Sequence, residues 1–461
     1  MIHASETICA LSTPAGAGAI GVIRLSGENA FQAVSSIFKG KSIEKQPTQS
    51  LHFGRIVDGE EVLDEVLLSL FKGPHSYTGE DVIEISAHGS PYVLRSILSL
   101  LLKQGVRMAT AGEFTQRAYL NGKLDLAQAE AVGDLIASES KAAHDVAMQQ
   151  MRGGFSKKIN ELRQELIQFT ALIELELDFA EEDVEFADRD DLKGLVNKIL
   201  GILETLLHSF DKGNVMKNGL PVSIVGKPNV GKSTLLNALL NEEKAIVSDI
   251  AGTTRDSIED TVNIGGIAFR FIDTAGIRET NDVVESIGIE RTYKAVEKSS
   301  LVMYLVDLAV EDIEAAEKEF EALKKDYTNG QRQFLMVLNK MDVFKEKPSA
   351  IEEKLVEDQY WISALHKDGI QALLDKLESI AAELQMGGQD IIVSSLRHQQ
   401  ALQQSSDALK RVKEGLESNI TGDFLAMDIR QTLHYLGEIT GSIEVDRDIL
   451  GTIFSQFCIG K

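Results

Sequence analysis

The first 118 residues alternate short apolar runs with polar stretches, at the spacings of both strands and helices. The predicted strands are 19–25, 62–71 and 81–86, and the predicted helices are 30–38 and 91–103. The strand runs are rich in Val, Ile and Leu, whereas the helical stretches repeat apolar residues every three or four positions. The pattern predicts a mixed α/β domain over residues 1–118.

A longer, helical pattern begins near residue 119. Residues 119–214 contain no proline, and apolar residues such as Leu124, Ala127 and Ala131 recur at helical spacing. The same character returns in three predicted helices, at 396–416, 423–439 and 446–457. We therefore expect one helical domain built from two separate stretches, 119–214 and 380–461.

Between these stretches, strand-like apolar runs alternate with helical patterns. Five strands are predicted, at 222–225, 268–272, 301–306, 334–338 and 360–362. Such alternation is typical of a doubly wound, mostly parallel sheet. Residues 215–379 are thus predicted to form an α/β domain inserted in the helical one, with its two ends close together as insertion requires. The expected fold class is multidomain, combining α/β and α+β parts.

The charge balance narrows the classes of function. The 461 residues include 71 acidic and 47 basic side chains, a formal net charge of −24. A surface that coats nucleic acid is basic, so a nucleic-acid substrate would require a partner that supplies the phosphate contacts. The strongly acidic stretch 178–191 is predicted to be a solvated linker. The alternative is a metal site, but its spacing matches no known loop motif.

Cysteine usage and the N-terminus bear on the cellular compartment. Only Cys9 and Cys458 occur, too few for a disulfide framework, which is typical of a reducing environment. The N-terminal residues lack the basic and apolar regions of a signal peptide. No apolar run approaches the ~20 residues of a membrane span. We expect a cytoplasmic protein without membrane association.

The clearest chemistry lies within residues 220–240. An apolar run leads into Gly226-Lys-Pro-Asn-Val-Gly231-Lys232-Ser233, which fits G-x-x-x-x-G-K-[ST], and a helical stretch follows. Glycines allow backbone N–H groups to surround an anion, and the helix N-terminus adds partial positive charge. Lys232 is predicted to reach the β- and γ-phosphates, and the Ser233 hydroxyl to bind Mg²⁺. The alternative is an ordinary glycine turn before a helix.

The nucleotide base is predicted from two later strand ends. Asn339-Lys340-Met-Asp342 closes an apolar strand. The Asp342 carboxylate can accept hydrogen bonds from guanine N1–H and the 2-amino group, neither of which adenine offers. Ser363 and Ala364, after the next strand, fit a backbone contact to the guanine carbonyl. Because a buried carboxylate without a partner is costly, GTP is the predicted nucleotide.

Two further loops have the composition of nucleotide-dependent switches. The motif Asp273-Thr274-Ala275-Gly276 follows a predicted strand. Its aspartate is predicted to hold Mg²⁺ through water, and the Gly276 N–H to contact the γ-phosphate. Thr254, in the loop Ala-Gly-Thr-Thr-Arg-Asp, is predicted to bind Mg²⁺ and to sense the γ-phosphate.

The second switch departs from the Ras pattern. Ile277 takes the place of the glutamine that orients the attacking water, and its side chain has no polar atom for that task. Arg255 and Arg278 are candidate arginine fingers, although each is better explained as an ion-pair partner within a switch. A water-positioning group and a further cation must therefore come from elsewhere.

Further motifs give the chain a family resemblance. Over essentially its whole length it resembles the MnmE (TrmE) family of tRNA-modification GTPases, in TPAGAGAIGVIRLSG, SYTGEDVIEISAHG, GEFTQRAYLNGKLDLAQAEAVGDLI, DIAGTTRD, DTAGIRET and the C-terminal FCIGK. The resemblance implies an N-terminal domain that binds a tetrahydrofolate and forms a homodimer, and a helical domain that carries an inserted G domain.

The resemblance also implies a reaction and its partners. The flavoprotein MnmG would join the chain in a heterotetramer and supply FAD. Together they would add a (carboxymethyl)aminomethyl group to C5 of the wobble uridine of certain tRNAs. The one-carbon unit would come from 5,10-methylene- or 5-formyl-tetrahydrofolate.

The family's folate contacts fall on Arg24, Glu84, Lys123 and Lys461. Basic groups suit the carboxylates of the glutamate tail, and a carboxylate suits the N–H donors of the pterin. Arg24 and Glu84 lie in otherwise apolar strands, where a charge without a partner would be energetically unfavourable. Each residue alone would also fit a surface ion pair. Cys458 lies in the tail that the family keeps against the folate, and is either a thiol nucleophile or proton donor or an inert thiol.

The resemblance further implies how hydrolysis proceeds without an arginine finger. The family assigns it to a glutamate at Glu285, our candidate for water positioning; the alternative is a solvent-facing acid that leads into a helix. The family's potassium ligands map onto Asn229, Ser248, Ile250 and Thr253, and K⁺-dependent pairing of two G domains is expected to drive hydrolysis. The complete set of predicted GTP contacts is Asn229, Val230, Gly231, Lys232, Ser233, Thr234, Ser248, Asp249, Ile250, Ala251, Gly252, Thr253, Thr254, Asp273, Thr274, Ala275, Gly276, Asn339, Lys340, Asp342, Ser363 and Ala364.

Two other functions stay open on the sequence alone. GTP-dependent ribosome assembly factors use the same G domain, but they usually carry a basic RNA-binding module, which this acidic chain lacks. A non-catalytic scaffold, in which GTP only sets the geometry, is the third hypothesis. Bound folate and co-purification with a flavoprotein would favour the enzyme, whereas co-sedimentation with ribosomal subunits would favour the assembly factor.

Overall fold

The described part of the chain forms two compact units. The computed structural model describes residues 6–178, 189–244, 260–272, 294–327, 332–343, 358–386, 391–418, 420–443, 450, 453–455 and 457–460. The first unit consists of Met1–Ala137, Ala147–Glu204 and Arg397–Lys461, and the second of Ser138–Val146 and Thr205–Leu396. Each unit is therefore assembled from separate stretches of the sequence.

The helices and strands follow in chain order. The elements up to residue 151 are β1 Ile8–Leu11, β2 Ile20–Ser26, α1 Ala30–Ile37, β3 Phe38–Gly40, β4 Ser50–Asp58, β5 Glu61–Phe71, β6 Val82–His88, α2 Pro91–Lys103, β7 Arg107–Met108, α3 Glu113–Leu120, α4 Leu126–Ala137 and α5 Lys141–Met151. The remaining elements are α6 Gly154–Asp178, α7 Arg189–Asn218, β8 Leu220–Val225, α8 Lys232–Lys244, β9 Asp260–Ile264, β10 Ile267–Phe271, β11 Leu301–Asp307, α9 Ile313–Asp326, β12 Gln333–Asn339, β13 Gln359–Trp361, α10 Ile370–Gln385, α11 Leu396–Glu417 and α12 Gly422–Thr440.

The first unit contains a seven-stranded sheet in the order β3-β4-β5-β6-β2-β1-β7. Its strand pairs are antiparallel except for β1 with β7. Side chains alternate between the two faces of a strand, so Ile23 and Leu25 lie in the core with α1 and α2. Arg24, between them, projects from the opposite face. The register places Arg24 directly beside Glu84 of β6.

The predicted strands and helices of this sheet are confirmed, but four of its strands, β1, β3, β4 and β7, were missed. β1 is only four residues long, too short to give a clear period. β4 exposes Leu51 and Phe53 on one face and carries His, Gly and Arg within the strand, so it lacks the alternation of apolar and polar residues. The pairing of β4 with β5 supplies the order that its own sequence does not indicate.

The second unit contains a six-stranded sheet in the order β13-β12-β11-β8-β10-β9. All its pairs are parallel except the β9–β10 hairpin, which confirms the predicted doubly wound sheet and adds one missed strand, β9. Every residue of β11 is buried, because apolar clusters cover both faces of the sheet. The carboxyl ends of β8, β11 and β12 meet at one edge, where ligands bind in such sheets.

Helices complete the first unit. α6 packs along α12, and α4 contacts both α3 and α12. The helices predicted at 396–416 and 423–439 are confirmed as α11 and α12. Most of the helix predicted at 446–457 lies outside the described residues, apart from a helical turn at 453–455.

The predicted acidic linker at 178–191 is partly wrong. Asp178 ends α6, and Asp190 and Asp191 lie in the first turn of α7. Negative side chains are favourable there because they face the positive end of the helix dipole. Residues 179–188 lie outside the described part of the chain.

Candidate nucleotide-binding site

The phosphate loop follows β8 and leads into α8, in the predicted context. A side chain at Gly226 would lie 2.3 Å from the Leu305 carbonyl oxygen, and one at Gly231 would lie 2.3 Å from Nδ2 of Asn339. Gly231 also has a φ of +102°. Only glycine fits these two positions, because the backbone passes so close to neighbouring strands. The loop is thereby held against the ends of β11 and β12.

Lys232 begins α8 and turns back over the loop. Its Nζ donates hydrogen bonds to the carbonyl oxygens of Gly226, at 2.6 Å, and Lys227, at 3.3 Å. Burial lowers the pKa of Lys232 below its usual value, since the ammonium group is partly removed from water. A phosphate group beside this ammonium would restore the favourable charge interaction that burial removes. Ser233 and Thr234 follow in the first turn of the helix, half-buried.

Asn339 joins the phosphate loop to the loop around Ala364, which is predicted to recognise the base. It ends β12 and is 2% exposed. Its Nδ2 donates to the Val230 carbonyl oxygen at 2.8 Å, and its Oδ1 accepts from the Ala364 N–H at 3.0 Å. Both halves of the predicted nucleotide site are therefore fixed by one side-chain amide.

Lys340 and Asp342 lie on the same loop and have separate partners. The Lys340 Nζ donates to Asp307 Oδ2 at 2.5 Å and to the Asn229 carbonyl oxygen at 3.1 Å. Ser363 Oγ donates to Asp342 Oδ1 at 2.6 Å. This hydrogen bond is the main cause that lowers the pKa of Asp342, so the group is a carboxylate and an acceptor.

Sequence reasoning missed two acidic residues beside this site. Asp307 ends β11 as Asn339 ends β12, and this shared position at a strand end was the available signal. Glu311 accepts from the Asp307 N–H at 3.0 Å and lies 2.8 Å from Nζ of Lys227. Asp307 and Glu311 thus hold two lysines against the two predicted nucleotide-binding loops.

Several predicted residues lie outside the described part of the chain. They are Ser248, Asp249, Ile250, Ala251, Gly252, Thr253, Thr254, Arg255, Asp273, Thr274, Ala275, Gly276, Ile277, Arg278, Glu285 and Lys461. Of the predicted potassium ligands, only Asn229 is described; it is exposed and has a φ of +62°.

A second polar site lies on the open face of the sheet in the first unit. Arg24 Nε donates to Glu84 Oε1 at 2.9 Å, and the Arg24 guanidinium carbon lies 5.3 Å from the ring centre of Tyr77 and 5.7 Å from that of Phe114. Tyr77 shares a 2.8 Å hydrogen bond with Thr115 Oγ1, and burial raises its pKa. The pair is thus a partly exposed charge pair with aromatic walls.

Of the other predicted folate residues, the structure describes only Lys123, whose partner differs from those of Arg24 and Glu84. Lys123 follows α3, and its Nζ donates to the Pro74 carbonyl oxygen at 3.0 Å. Cys458 is exposed. Two contacts anchor the tail around Cys458. Ile459 pairs with Ala111 in a β-bridge, and the Gly460 carbonyl oxygen accepts a 3.1 Å hydrogen bond from the Ser12 hydroxyl.

A buried charge network supports the loop before β6 and was not anticipated from the sequence. Arg117 lies 2.9 Å from Glu80 and 3.0 Å from Glu113, and Arg107 lies 2.7 Å from Glu113. Burial alone would raise the pKa of Glu113, but its hydrogen bonds, led by the one from Arg107, lower it to about 2. Ser26 donates to Glu80 at 2.7 Å, which ties the network to β2.

Among the described residues, no cluster of three or more His, Cys, Asp or Glu side chains has the geometry of a metal site. Within the same part of the chain, none of the helices combines the length and apolar character needed to cross a bilayer.

Comparison with known proteins decides the family. A family model described as "MnmE helical domain" matches residues 126–458, and one described as "GTP-binding protein TrmE N-terminus" matches residues 7–123. The chain belongs to the MnmE (TrmE) family. The family resemblance predicted from the sequence motifs is confirmed, and the chain is a GTPase.

Individual members of the family are similar in sequence to this chain over nearly its whole length. The chain is 53% identical to the tRNA modification GTPase MnmE of Christiangramia forsetii and 54% identical to that of Flavobacterium johnsoniae, covering 99% of each chain in both cases. It is 51% identical to the protein of the same name from Bacteroides thetaiotaomicron, again over 99% of both chains.

Proposed function

We propose that this chain hydrolyses GTP in the course of modifying tRNA, with a tetrahydrofolate as one-carbon donor. The observation that carries the nucleotide part is the Asn339 amide, which joins the Val230 carbonyl to the Ala364 N–H. A nucleotide that spans the two loops would have its phosphates at the helix N-terminus and its base at Asp342. The relatives' name, tRNA modification GTPase, supports the choice of RNA substrate.

The residue roles follow from the chemistry of the site. Lys232 would neutralise the β- and γ-phosphates, and Asp342 would accept from guanine N1–H and the 2-amino group. Mg²⁺ would be held by the hydroxyls of Ser233 and Thr254, and it would supply charge neutralisation between the phosphates. Glu285 would position the attacking water.

Potassium would provide the charge that an arginine finger provides in related enzymes. Asn229 is exposed on the phosphate loop, and its side-chain oxygen is the potassium ligand that this loop would supply. An oxygen cage formed with Ser248, Ile250 and Thr253 would suit K⁺ better than the smaller Na⁺. Closure of that loop would create the surface on which two G domains pair.

The Arg24–Glu84 pair fits the polar groups of a folate. Glu84 offers carboxylate oxygens to pterin N–H donors, and Arg24, Lys123 and Lys461 offer positive charge to the carboxylates of the glutamate tail. The rings of Tyr77 and Phe114 give the site apolar walls. Cys458, exposed in the anchored tail, is the proposed thiol for the one-carbon chemistry.

The proposed assembly is a homodimer that joins MnmG, which supplies FAD, in a heterotetramer. Support for the homodimer comes from the open sheet face, where Leu51, Phe53 and Leu67 are 69%, 63% and 46% exposed. Phe53 and Leu67 face each other across β4 and β5. The proposed domains are 1–118 for folate binding and dimerisation, 119–214 with 380–461 for the helical domain, and 215–379 for the G domain.

Nucleoside analysis of tRNA tests the proposal as a whole. In a strain from which this chain is deleted, the C5 (carboxymethyl)aminomethyl group on wobble uridine is expected to disappear and to return with the wild-type gene. A deletion strain with fully modified tRNA would overturn the proposal. Co-sedimentation of the chain with ribosomal subunits, in the strain that carries the wild-type gene, would instead favour an assembly factor.

A further inference from the structure

Helix α5 belongs to both compact units. Its first residues, up to Val146, lie in the unit that contains the nucleotide site, and those from Ala147 onward lie in the other unit. A continuous α-helix of this length is stiff, because each backbone N–H is bonded one turn back. A displacement of one half is therefore carried to the other.

The first half of α5 is fixed to the β9–β10 hairpin. The Ala142 N–H donates to the Gly266 carbonyl oxygen at 3.0 Å, so the hairpin turn caps the start of the helix. The Asn263 amide donates to the Glu139 carbonyl oxygen at 3.3 Å. Ala142 and Val146 are 3% and 5% exposed and lie in one apolar cluster with the hairpin strands. This end of α5 is therefore part of the core of the nucleotide-binding unit.

In sequence, the β9–β10 hairpin lies between the two predicted switch motifs. β9 begins at Asp260, four residues after the DIAGTTRD motif, and β10 ends at Phe271, two residues before the DTAGIRET motif. Its turn, Gly265-Gly266, has φ angles of +57° and +82°, as two-residue hairpins require. The hairpin is thus the described segment that connects the two loops predicted to respond to the γ-phosphate.

The second half of α5 is fixed to α4 in the other unit. The Gln150 side chain is 6% exposed and donates to the Ala127 carbonyl oxygen at 2.9 Å. The Gln128 side chain donates to the Met151 carbonyl oxygen at 3.0 Å. A buried side-chain amide bonded to a backbone carbonyl resists separation, because an unpaired donor would be left in the interior.

We propose that α5 transmits the nucleotide state from the β9–β10 hairpin to α4. The inference rests on GTP binding and goes beyond it, since it assigns a conformational link between the GTPase site and the unit that contains Arg24 and Glu84. α7 is also shared by the two units, but it leads directly into β8, which ends in the phosphate loop. Its attachment is to the centre of the sheet and not to the segment between the two switches.

Hydrogen exchange tests the link directly. In the wild-type chain, amides of α4 and of the second half of α5 are expected to exchange differently with a non-hydrolysable GTP analogue and with GDP. The double variant Val146→Ala/Asn263→Ala weakens the contact with the hairpin. It is expected to reduce that difference at least ~5-fold, while phosphate-loop amides still respond and kcat for GTP stays within ~3-fold of wild type.

A matched control removes the same side-chain atoms elsewhere in the same core. Val215 of α7 packs on the same apolar cluster as Val146. Val215→Ala is expected to keep the nucleotide-dependent difference in α4. Loss of the difference in both variants would point to general destabilisation and would overturn the specific role of α5, as would an undiminished difference in the double variant.

A reversible disulfide provides the complementary test. A Cβ atom built at Gly266 lies 3.5 Å from the Cβ of Lys141, within the range of about 3.5–4.5 Å found in disulfides. Lys141→Cys/Gly266→Cys, added to the double variant in a Cys458→Ser background, is expected to restore the response of α4 when oxidised and to lose it again with reductant. A disulfide that forms without restoring the response would overturn the link. Phosphate-loop amides that ignore the nucleotide in the wild type would overturn the nucleotide site, and with it the link.

Discussion

Guanine recognition is proposed to depend on one carboxylate, Asp342. Ser363 holds it as an acceptor with a 2.6 Å hydrogen bond. Asp342→Asn is expected to weaken GTP binding by ~10²-fold or more and to favour xanthosine triphosphate, because the amide can donate to the carbonyl that replaces the 2-amino group. Isothermal titration with both nucleotides measures the change. Equal GTP affinity in the variant would show that Asp342 does not read the base.

Folate binding is expected to depend on Arg24. Arg24→Ala removes the guanidinium that pairs with Glu84 and lies against Tyr77 and Phe114. We expect a loss of formyl-tetrahydrofolate binding of at least ~10²-fold, since Glu84 also loses its partner, with GTPase turnover nearly unchanged. Equilibrium dialysis with labelled folate measures it.

Arg55→Ala is the matched control for that experiment. Arg55 pairs with Glu65 across β4 and β5 of the same sheet, as Arg24 pairs with Glu84, but both side chains are about half exposed. The control is expected to bind folate normally. Normal binding in the Arg24 variant as well would make that arginine a purely structural residue.

Single residues of the candidate nucleotide site can be selected from the sequence by their chemistry alone. Lys232, Asn339 and Asp342 stand out because their types and spacing match the groups of GTP. The partner of Lys340 was not predictable, since Asp307 reaches it only through the parallel pairing of β11 with β12. The pairing of Arg24 with Glu84 likewise depends on strand register, which sequence patterns do not determine.

At the level of elements, α11 is tied to α4 and α12 by a buried ion network. Glu130 lies 2.7 Å from Arg397 and 2.9 Å from His398. Burial alone would raise the pKa of Glu130, but its interactions with His398 and Arg397, His398 first, lower it to about 2. Arg397 also donates to the Glu438 and Ile439 carbonyl oxygens at the end of α12. The carboxylate form is therefore the one that holds the three helices together.

The network predicts a pH-dependent stability. The pKa of Glu130 is lower in the folded state than its ordinary value of 4.5. The ionised carboxylate therefore stabilises the fold fully at pH values above 4.5, and this stabilisation is lost as the pH falls toward 2. Glu130→Gln is therefore expected to lower the free energy of unfolding by about 3 kcal/mol at about pH 6, and by less at about pH 3.5. Urea denaturation at the two pH values measures it.

An exposed ion pair serves as control for this prediction. Glu174→Gln removes the partner of Arg430, and both side chains are about half exposed. A change below about 1 kcal/mol at either pH is expected, because exposed pairs are screened by water. A Glu130 variant that is equally mild would contradict a stabilising role for the buried network.

Elements with a strong apolar pattern of their own were predictable from the sequence. α2 and α11 repeat apolar residues at helical spacing, and β11 is a continuous apolar run. β9 was missed because its five residues contain Asp, Thr and Asn, and it is a strand through its pairing with β10. Tertiary pairing overrides the weak local preference of such an edge strand.

At the scale of the whole molecule, K⁺ is expected to control both hydrolysis and the pairing of G domains. GTPase rate and hydrodynamic radius with a transition-state mimic should both be higher in KCl than in NaCl at equal ionic strength. Asn229→Ala is expected to abolish the difference, and Asn237→Ala, an exposed position on α8, to keep it. Equal rates in both salts, or stimulation that survives Asn229→Ala, would contradict the prediction.

The alternation of α/β and helical regions along the chain was predictable from the sequence, but the membership of single helices in the two compact units was not. The insertion of an α/β sheet in a helical region follows from the switch in apolar period. The assignment of Ser138–Val146 to the nucleotide-binding unit does not, because its helical pattern continues unchanged into Ala147. Only the packing of Ala142 and Val146 against the hairpin strands distinguishes the two halves of α5.

The Asn339 amide has a consequence for ligands smaller than a nucleotide. Since one side chain holds both Val230 and Ala364, an occupant of either loop restricts the thermal motion of the other. The first occupant therefore orders part of the second loop, and the second occupant binds with a smaller loss of conformational entropy. Guanosine and inorganic triphosphate, added as separate molecules, should therefore bind with positive cooperativity, and this cooperativity should vanish in Asn339→Ala.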